Sequence, residues 1–299
     1  MNALIDEVRR LKAETGALVL CHNYQRPEVY DAADFIGDSL ELARQAQGTD
    51  AEFIVFCGVR FMAETAKLLN PGARVVLAEP RAGCQMADMI SAEALRLRRE
   101  ELAPVQVVAY VNTPVEVKAE SDICCTSANA VAVVQSLGPG PVLFVPDRNL
   151  AAYVARLTGR EIIPWEGFCY VHATFTVADV ARARSEHPQA RVIAHPECPL
   201  DVIDAADDVA STSGMARLAG TVPEVVLATE VGMCERIRRL HPASRCWPLR
   251  RSAVCRNMKL TRLEAVRAAL AGTGGEEIAV SPGVAERARR ALERMTQLG

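Results

Sequence analysis

The chain has 299 residues, 50% of them hydrophobic and 24% charged, with a formal net charge of −3. That composition suits large cores spread over two or three domains, and so small a charge gives no support for nucleic-acid or anionic-membrane binding. No apolar run reaches the roughly 18–20 residues of a membrane span, and residues 1–13 alternate charge with Leu, Ile and Val in place of a signal-peptide core, so a cytoplasmic protein without membrane or nucleic-acid partners is expected.

In chain order, residues 2–14 read as an amphipathic helix and 17–21 as a strand running into His22, Asn23 and Tyr24. Asp38-Ser39 has the composition of a helix N-cap, with a helix over 40–47. A strand over 53–57, a helix over 59–69 stopped by Asn70-Pro71-Gly72, and a strand over 75–78 lead to Cys84. A second unit follows. Its strand over 105–109 ends in Tyr110, Val111 and Asn112. Residues 123–126 lead to Ser127 and a helix over 129–137. A strand over 142–145, a helix over 150–157 and a short strand over 162–163 precede Cys169. The third unit has a helix over 176–185, a strand over 191–194 ending in His195-Pro196-Glu197, then Ser211-Thr212. A strand over 225–228, a helix over 232–240 and an Arg-rich loop lead to Cys255. Two helices broken by 272–275 and Pro282 complete the chain.

Cys84, Cys169 and Cys255 lie 85 and 86 residues apart. His22 to Ser39, Tyr110 to Ser127 and His195 to Thr212 are each 17 residues, and the cysteines follow the same anchors by 62, 59 and 60. A long internal period of this kind marks a repeated structural unit. Short apolar strands alternating with helices indicate parallel α/β sheets covered on both faces. The expectation is an α/β fold of three similar three-layer αβα domains, 1–84, 85–169 and 170–258, with short parallel sheets around a pseudo-threefold axis. The helices within 259–299 would pack back on the body. Ligands of such sheets gather at the carboxyl ends of the strands, where all three anchors fall, so one central cleft should collect them.

Of the ten cysteines, Cys21, Cys57, Cys124 and Cys125 sit in apolar runs and read as small buried hydrophobes. No CxxC pair or CxxxCxxC run is present. Three thiols converging from three domains would suit a metal. Zinc would want a fourth ligand, whereas a [4Fe–4S] cluster can sit on three thiolates and keep one iron open as a Lewis acid. Three unrelated buried cysteines are the competing reading. His195-Pro196-Glu197 places an imidazole beside a carboxylate suited to proton transfer. Ser39, Ser127 and Thr212 stand near helix starts, where backbone N–H groups bind carboxylate or phosphate.

The chain resembles the quinolinate synthase family over nearly its whole length. The matching stretches are His22-Asn23-Tyr24-Gln25, residues 34–42, residues 61–66, Ala82-Gly83-Cys84 with Ala87-Asp88, and Tyr110-Val111-Asn112-Thr113. Further on they are residues 121–127, Pro146-Asp147, Gly167 with Cys169 and His172, His195-Pro196-Glu197-Cys198, Ser211-Thr212, Ala228-Thr229-Glu230, and Cys255 with Met258-Lys259. The resemblance implies condensation of iminoaspartate with dihydroxyacetone phosphate to quinolinate in NAD biosynthesis, with loss of phosphate and two waters. It also implies a [4Fe–4S] cluster on Cys84, Cys169 and Cys255, and functional coupling to an aspartate oxidase or dehydrogenase. Iminoaspartate would be held by His22, Ser39, Tyr110, Val111, Asn112, Ser127, His195, Pro196, Glu197 and Thr212. Glu197 would be the principal base, with Tyr24, Tyr110 and His195 as proton relays. Arg60, Arg81, Gln85 and Tyr170 depart from the family pattern without removing a ligand. A different cluster-dependent hydro-lyase, or an α/β binding protein with a structural metal, are the alternatives.

Overall fold

The structure, a computed structural model, describes residues 2–298; Met1 of the first expected domain and Gly299 of the C-terminal segment lie outside them. The fold is α/β, with three sheets flanked by helices, parallel throughout save for one antiparallel edge strand of the first. The first holds β1 (Leu18–His22), β2 (Phe35–Gly37), β3 (Phe53–Cys57) and β4 (Arg74–Leu77), in the order β2-β1-β3-β4. The second holds β5 (Gln106–Tyr110), β6 (Ile123–Cys125), β7 (Val142–Val145) and β8 (Ile162–Pro164), in the order β6-β5-β7-β8. The third holds β9 (Arg191–Ala194), β10 (Asp208–Val209), β11 (Glu224–Ala228) and β12 (Arg245–Pro248), in the order β10-β9-β11-β12. The strand order is therefore the same three times. The strands are apolar on both faces because helices cover both: every residue of β7 is buried.

The repetition extends to individual hydrogen bonds. Asp34, Asp122 and Asp207 each accept the N–H of a valine at the start of the preceding sheet strand (Val19 at 2.7 Å, Val107 at 2.7 Å, Val192 at 2.8 Å). Each aspartate is paired with a cation from the helix that opens its unit: Lys12 of Asn2–Thr15, Arg99 of Ala92–Glu101, Arg184 of Val177–Glu186. Each cation also reaches the carbonyl two residues before its aspartate, at Ala32, Glu120 and Ala205. A charged clasp thus joins helix, strand and crossover loop in the same way three times.

Several elements differ from those expected, among them short ones such as Phe35–Gly37, Val115–Ala119 and Leu200–Ala205. The Arg-rich segment before Cys255 contains β12, an edge strand that ends in Pro248, where a missing N–H does no harm. Helix Ala92–Glu101 lacks an apolar stripe: it buries only Leu95, and six of its other nine residues are charged. Pro282 begins helix Pro282–Thr296 rather than breaking one. That helix packs on Val115–Ala119, on β6 and on Arg60–Leu69, and helix Leu263–Leu270 packs on Asn2–Thr15. Between them β13 (Glu276–Glu277) pairs antiparallel with β4. Its approach depends on Gly275, which has φ +79° and where a Cβ would lie 2.6 Å from the Val76 side chain. Among the described residues no helix is long and apolar enough to cross a membrane.

Candidate active site

The carboxyl ends of the sheets' first strands face one cavity. Its wall includes His22, which closes β1, Tyr110, which closes β5, and His195 and Glu197, which follow β9. Tyr24, Ser39, Asn112, Ser127 and Thr212 line it as well, and so do Cys84, Cys169 and Cys255. Of the residues expected at the site, only the side chains of Val111 and Pro196 fail to reach this cavity; both are buried behind its wall.

The three cysteines sit on loops of one design. Each carbonyl accepts an N–H from four residues on (Asp88, Ala173, Lys259). Each loop runs into a single 3₁₀ turn beginning three residues after the cysteine, at Ala87, His172 and Met258. Backbone N–H groups of those same residues point at the sulfurs. Burial pushes the Cys84 thiol up to about 12 and raises Cys169 and Cys255, and the cysteines oppose one another's ionisation. A metal would thus have to displace their protons on binding. Of the residues departing from the family pattern, Tyr170 braces two of these loops: its hydroxyl accepts the Arg256 N–H at 2.8 Å beside Cys255. Arg60 makes a two-pronged ion pair with Glu276 on β13, at 3.0 and 2.5 Å, and Arg81 pairs with Glu79. Gln85 is exposed on the Cys84 loop.

His22 and His195 are held alike. Each Nδ1 accepts the N–H two residues on, Tyr24 at 3.2 Å and Glu197 at 3.3 Å. Burial lowers both imidazoles to about 3, so both are neutral at physiological pH. A neutral ring whose Nδ1 accepts must carry its proton on Nε2, which makes each histidine a hydrogen-bond donor.

Glu197 is nine-tenths or more buried and fully partnered. Tyr110 donates to Oε1 at 2.5 Å, and His172 Nδ1 lies 2.9 Å from Oε2. His172 Nε2 is 2.9 Å from Thr229 Oγ1, which is 2.6 Å from the Tyr24 hydroxyl. Burial works to raise the Glu197 pKa, but the imidazoles of His172 and His195 and the bonds from His172 and Tyr110 outweigh it and hold it low. Burial raises both tyrosines well above their ordinary value, so they stay protonated. With Glu197 ionised, Tyr110 donates to Oε1 and His172 donates from Nδ1 to Oε2, while Thr229 bridges His172 Nε2 and the Tyr24 hydroxyl. The sequence pattern matched His172 and Thr229 but assigned them no part in this chain.

Helix starts supply more of the lining. Asp38, of the expected Asp38-Ser39 cap, is the N-cap of Ser39–Gln47: it accepts from Leu40 and Glu41 at 3.0 Å, and Glu41 reaches back to its N–H. Ser211 caps Thr212–Ala219, leaving Ser39 and Thr212 as first helical residues with hydroxyls toward the cavity. Thr212 accepts from Asn23 at 3.0 Å. Ser127 lies in the turn before Ala130–Gln135. The Asn112 side-chain oxygen is buried with no partner, the state of an acceptor that a bound ligand would satisfy.

Sγ of Cys169, a ring nitrogen of His172 and a carboxylate oxygen of Glu197 also lie within 4.8 Å of one another, close enough for one metal ion. Three cysteine loops of one construction, opening on a cavity with a buried glutamate–histidine chain, define an α/β enzyme with a metal-competent active site. The family model described as "Quinolinate synthetase A protein" matches residues 6–297. The chain is 54% identical over 297 residues to a quinolinate synthase of Methanoregula boonei, an alignment covering 99% of this chain and 98% of the other. It is 50% identical over 300 residues to one of Desulforudis audaxviator, covering 99% of each. One of Thermococcus onnurineus is 46% identical over 300 residues, with 100% of this chain and 99% of the other covered. The chain belongs to the quinolinate synthetase A family, whose work is in NAD biosynthesis.

Proposed function

We propose that this protein is a quinolinate synthase that condenses iminoaspartate with dihydroxyacetone phosphate to quinolinate, releasing phosphate and two waters. The observation that carries this reading is the meeting of Cys84, Cys169, Cys255 and the Glu197 chain in one cavity. The three cysteines would hold a [4Fe–4S] cluster. Three equivalent sulfurs, each faced by a backbone N–H, are a donor set suited to such a cluster. When bound, the cluster supplies a Lewis-acidic iron for loss of hydroxide.

The chain's own residues do the rest. Ser39, Ser127, Thr212 and Asn112 bind the carboxylates of iminoaspartate or the phosphate of its partner, and His22 donates from Nε2. Val111 and Pro196 contribute through the backbone. Glu197 takes protons from substrate carbon or nitrogen. Tyr110 and His195 return them to leaving oxygens, and Tyr24 reaches Glu197 through Thr229 and His172. The repeated sheets and clasps favour three domains, 1–84, 85–169 and 170–258, around a pseudo-threefold axis. A cytoplasmic location and supply of iminoaspartate by an aspartate oxidase or dehydrogenase belong to the same reading.

A single metal ion on Cys169, His172 and Glu197 is the second reading, favoured by their closeness. It would break bonds that already satisfy His172 and Glu197, which weighs for the three-cysteine site. Anaerobic purification with iron and sulfide counts separates the two. The cluster requires about equal iron and sulfide, lost in Cys84→Ala, Cys169→Ala and Cys255→Ala alike. The single ion requires no sulfide and survives Cys84→Ala and Cys255→Ala. Quinolinate formation from the two substrates tests the activity itself.

A further inference from the structure

The three cysteine loops match in their turns but not in how their approach is held. In each unit an N–H just past the third strand donates to the carbonyl two residues before the cysteine: Arg60 to Ala82, Arg148 to Gly167, Val231 to Ala253, at 2.8, 2.9 and 2.9 Å. The residues immediately before these donors are therefore equivalent, and they are Val59, Asp147 and Glu230. Asp147 and Glu230 are buried. Asp147 Oδ1 accepts the Leu150 N–H at 2.7 Å, capping helix Arg148–Thr158, while Oδ2 accepts the Cys169 N–H at 3.2 Å. Glu230 Oε2 accepts the Gly232 N–H at 2.7 Å at the start of helix Gly232–Leu240, while Oε1 accepts the Cys255 N–H at 3.2 Å. Each carboxylate spends one oxygen on a helix end and the other on a cysteine, and Glu230 Oε2 also takes the Lys259 ammonium at 3.1 Å. Val59 can do neither, and among the described residues no side chain accepts the Cys84 N–H. The Cys84 loop is held instead from the third unit, by Asn257 Nδ2 donating to the Gly83 carbonyl at 2.8 Å.

We propose that Asp147 and Glu230 are positioning residues that preset Cys169 and Cys255 as a rigid half-site, leaving Cys84 as the ligand that closes last and opens first. This rests on the cluster reading above. A rigid pair needs little ordering when metal arrives, whereas the loop without an anchor must be fixed by the metal itself or by contact with its neighbour. Outer groups that orient a ligand commonly matter about 10–100-fold to metal retention when removed.

The test uses anaerobically purified, cluster-loaded wild type, Asp147→Asn and Glu230→Gln. An amide offers one acceptor oxygen where the carboxylate offers two, so one of the two N–H groups faces an NH₂. Cluster absorption is followed in the presence of an iron chelator, and the cluster's midpoint potential is measured alongside. The expected result is cluster loss about tenfold faster or more in both variants, with the midpoint potential displaced from the wild-type value as the hydrogen bonds to the Cys169 and Cys255 N–H groups are lost, a displacement that mere loosening of the fold far from the cysteines would not produce. Cluster loss and potential equal to wild type in a folded variant would overturn the proposal. Should Asp147→Asn not fold, Glu230→Gln gives the same readout. Wild type with iron but no sulfide would overturn the cluster reading and this inference together, a result distinct from a stable cluster that ignores both substitutions.

Discussion

The two walls of the cavity differ in what their polar groups already hold. On one, Tyr110, Glu197, His172, Thr229 and Tyr24 are bonded end to end. On the other, Ser39 and Ser127 make no side-chain hydrogen bond among the described residues, and the Asn112 oxygen is buried without a partner there. Buried polar groups are ordinarily satisfied. A saturated wall is therefore organised for proton transfer, where geometry must be set before the substrate arrives, and an unsatisfied wall is organised for binding. Substitutions on the two should separate, with turnover lost on the first and affinity on the second.

The largest effect is expected at the centre of the saturated wall. Glu197→Gln keeps the shape and one acceptor but loses the base. Turnover should fall about 10²–10⁴-fold, while cluster content and KM stay close to wild type. Quinolinate formation measured beside iron and sulfide counts checks it. Loss of the cluster together with activity would merge the two walls into one structural unit and break the comparison.

Which parts of this arrangement were readable in the sequence follows the same division. The strand-end anchors and the cysteines repeat at fixed offsets, so His22, Tyr110, His195 and the three thiols could be found by spacing alone. The strands were visible because they are apolar on both faces. The clasps of Asp34, Asp122 and Asp207 repeat as regularly but are not legible, because an aspartate in a loop looks like any solvated residue until its valine partner is known. His172 and Thr229 could be matched by resemblance but not given a role: their part depends on two loops folding onto Glu197 from different units. β12 and β13 lack strand composition, the first being Arg-Cys-Trp-Pro and the second two glutamates, joined to β4 by backbone pairing and by the Arg74–Glu277 ion pair.

An intermediate effect is expected at His172. Its imidazole and its bond to Oε2 are among the influences holding the Glu197 pKa low against burial. His172→Phe removes both, so that pKa must rise. A base works deprotonated, so activity disappears as pH falls through its pKa. The acid limb of kcat/KM, below the ordinary carboxylate range in the wild type, should move to higher pH in the variant, with turnover lowered at neutral pH. A pH profile of kcat/KM decides it: an unmoved limb would mean that His195 and Tyr110 alone set the state of Glu197.

The smallest effects belong to the unsatisfied wall. Ser39→Ala, Asn112→Ala and Ser127→Ala remove groups that hold nothing in the free protein, so unfolding free energy should change by less than about 0.5 kcal/mol for the serines. Asn112→Ala should be neutral or slightly stabilising, since it removes a buried acceptor that has no partner. Each loses one hydrogen bond to substrate, a net of about 0.5–1.5 kcal/mol, which is roughly two- to tenfold in KM at little change in kcat. Denaturation curves and steady-state kinetics on the same preparations test both halves. If instead turnover fell and KM held, these groups would act on the transition state, and the binding wall would be part of the catalytic one.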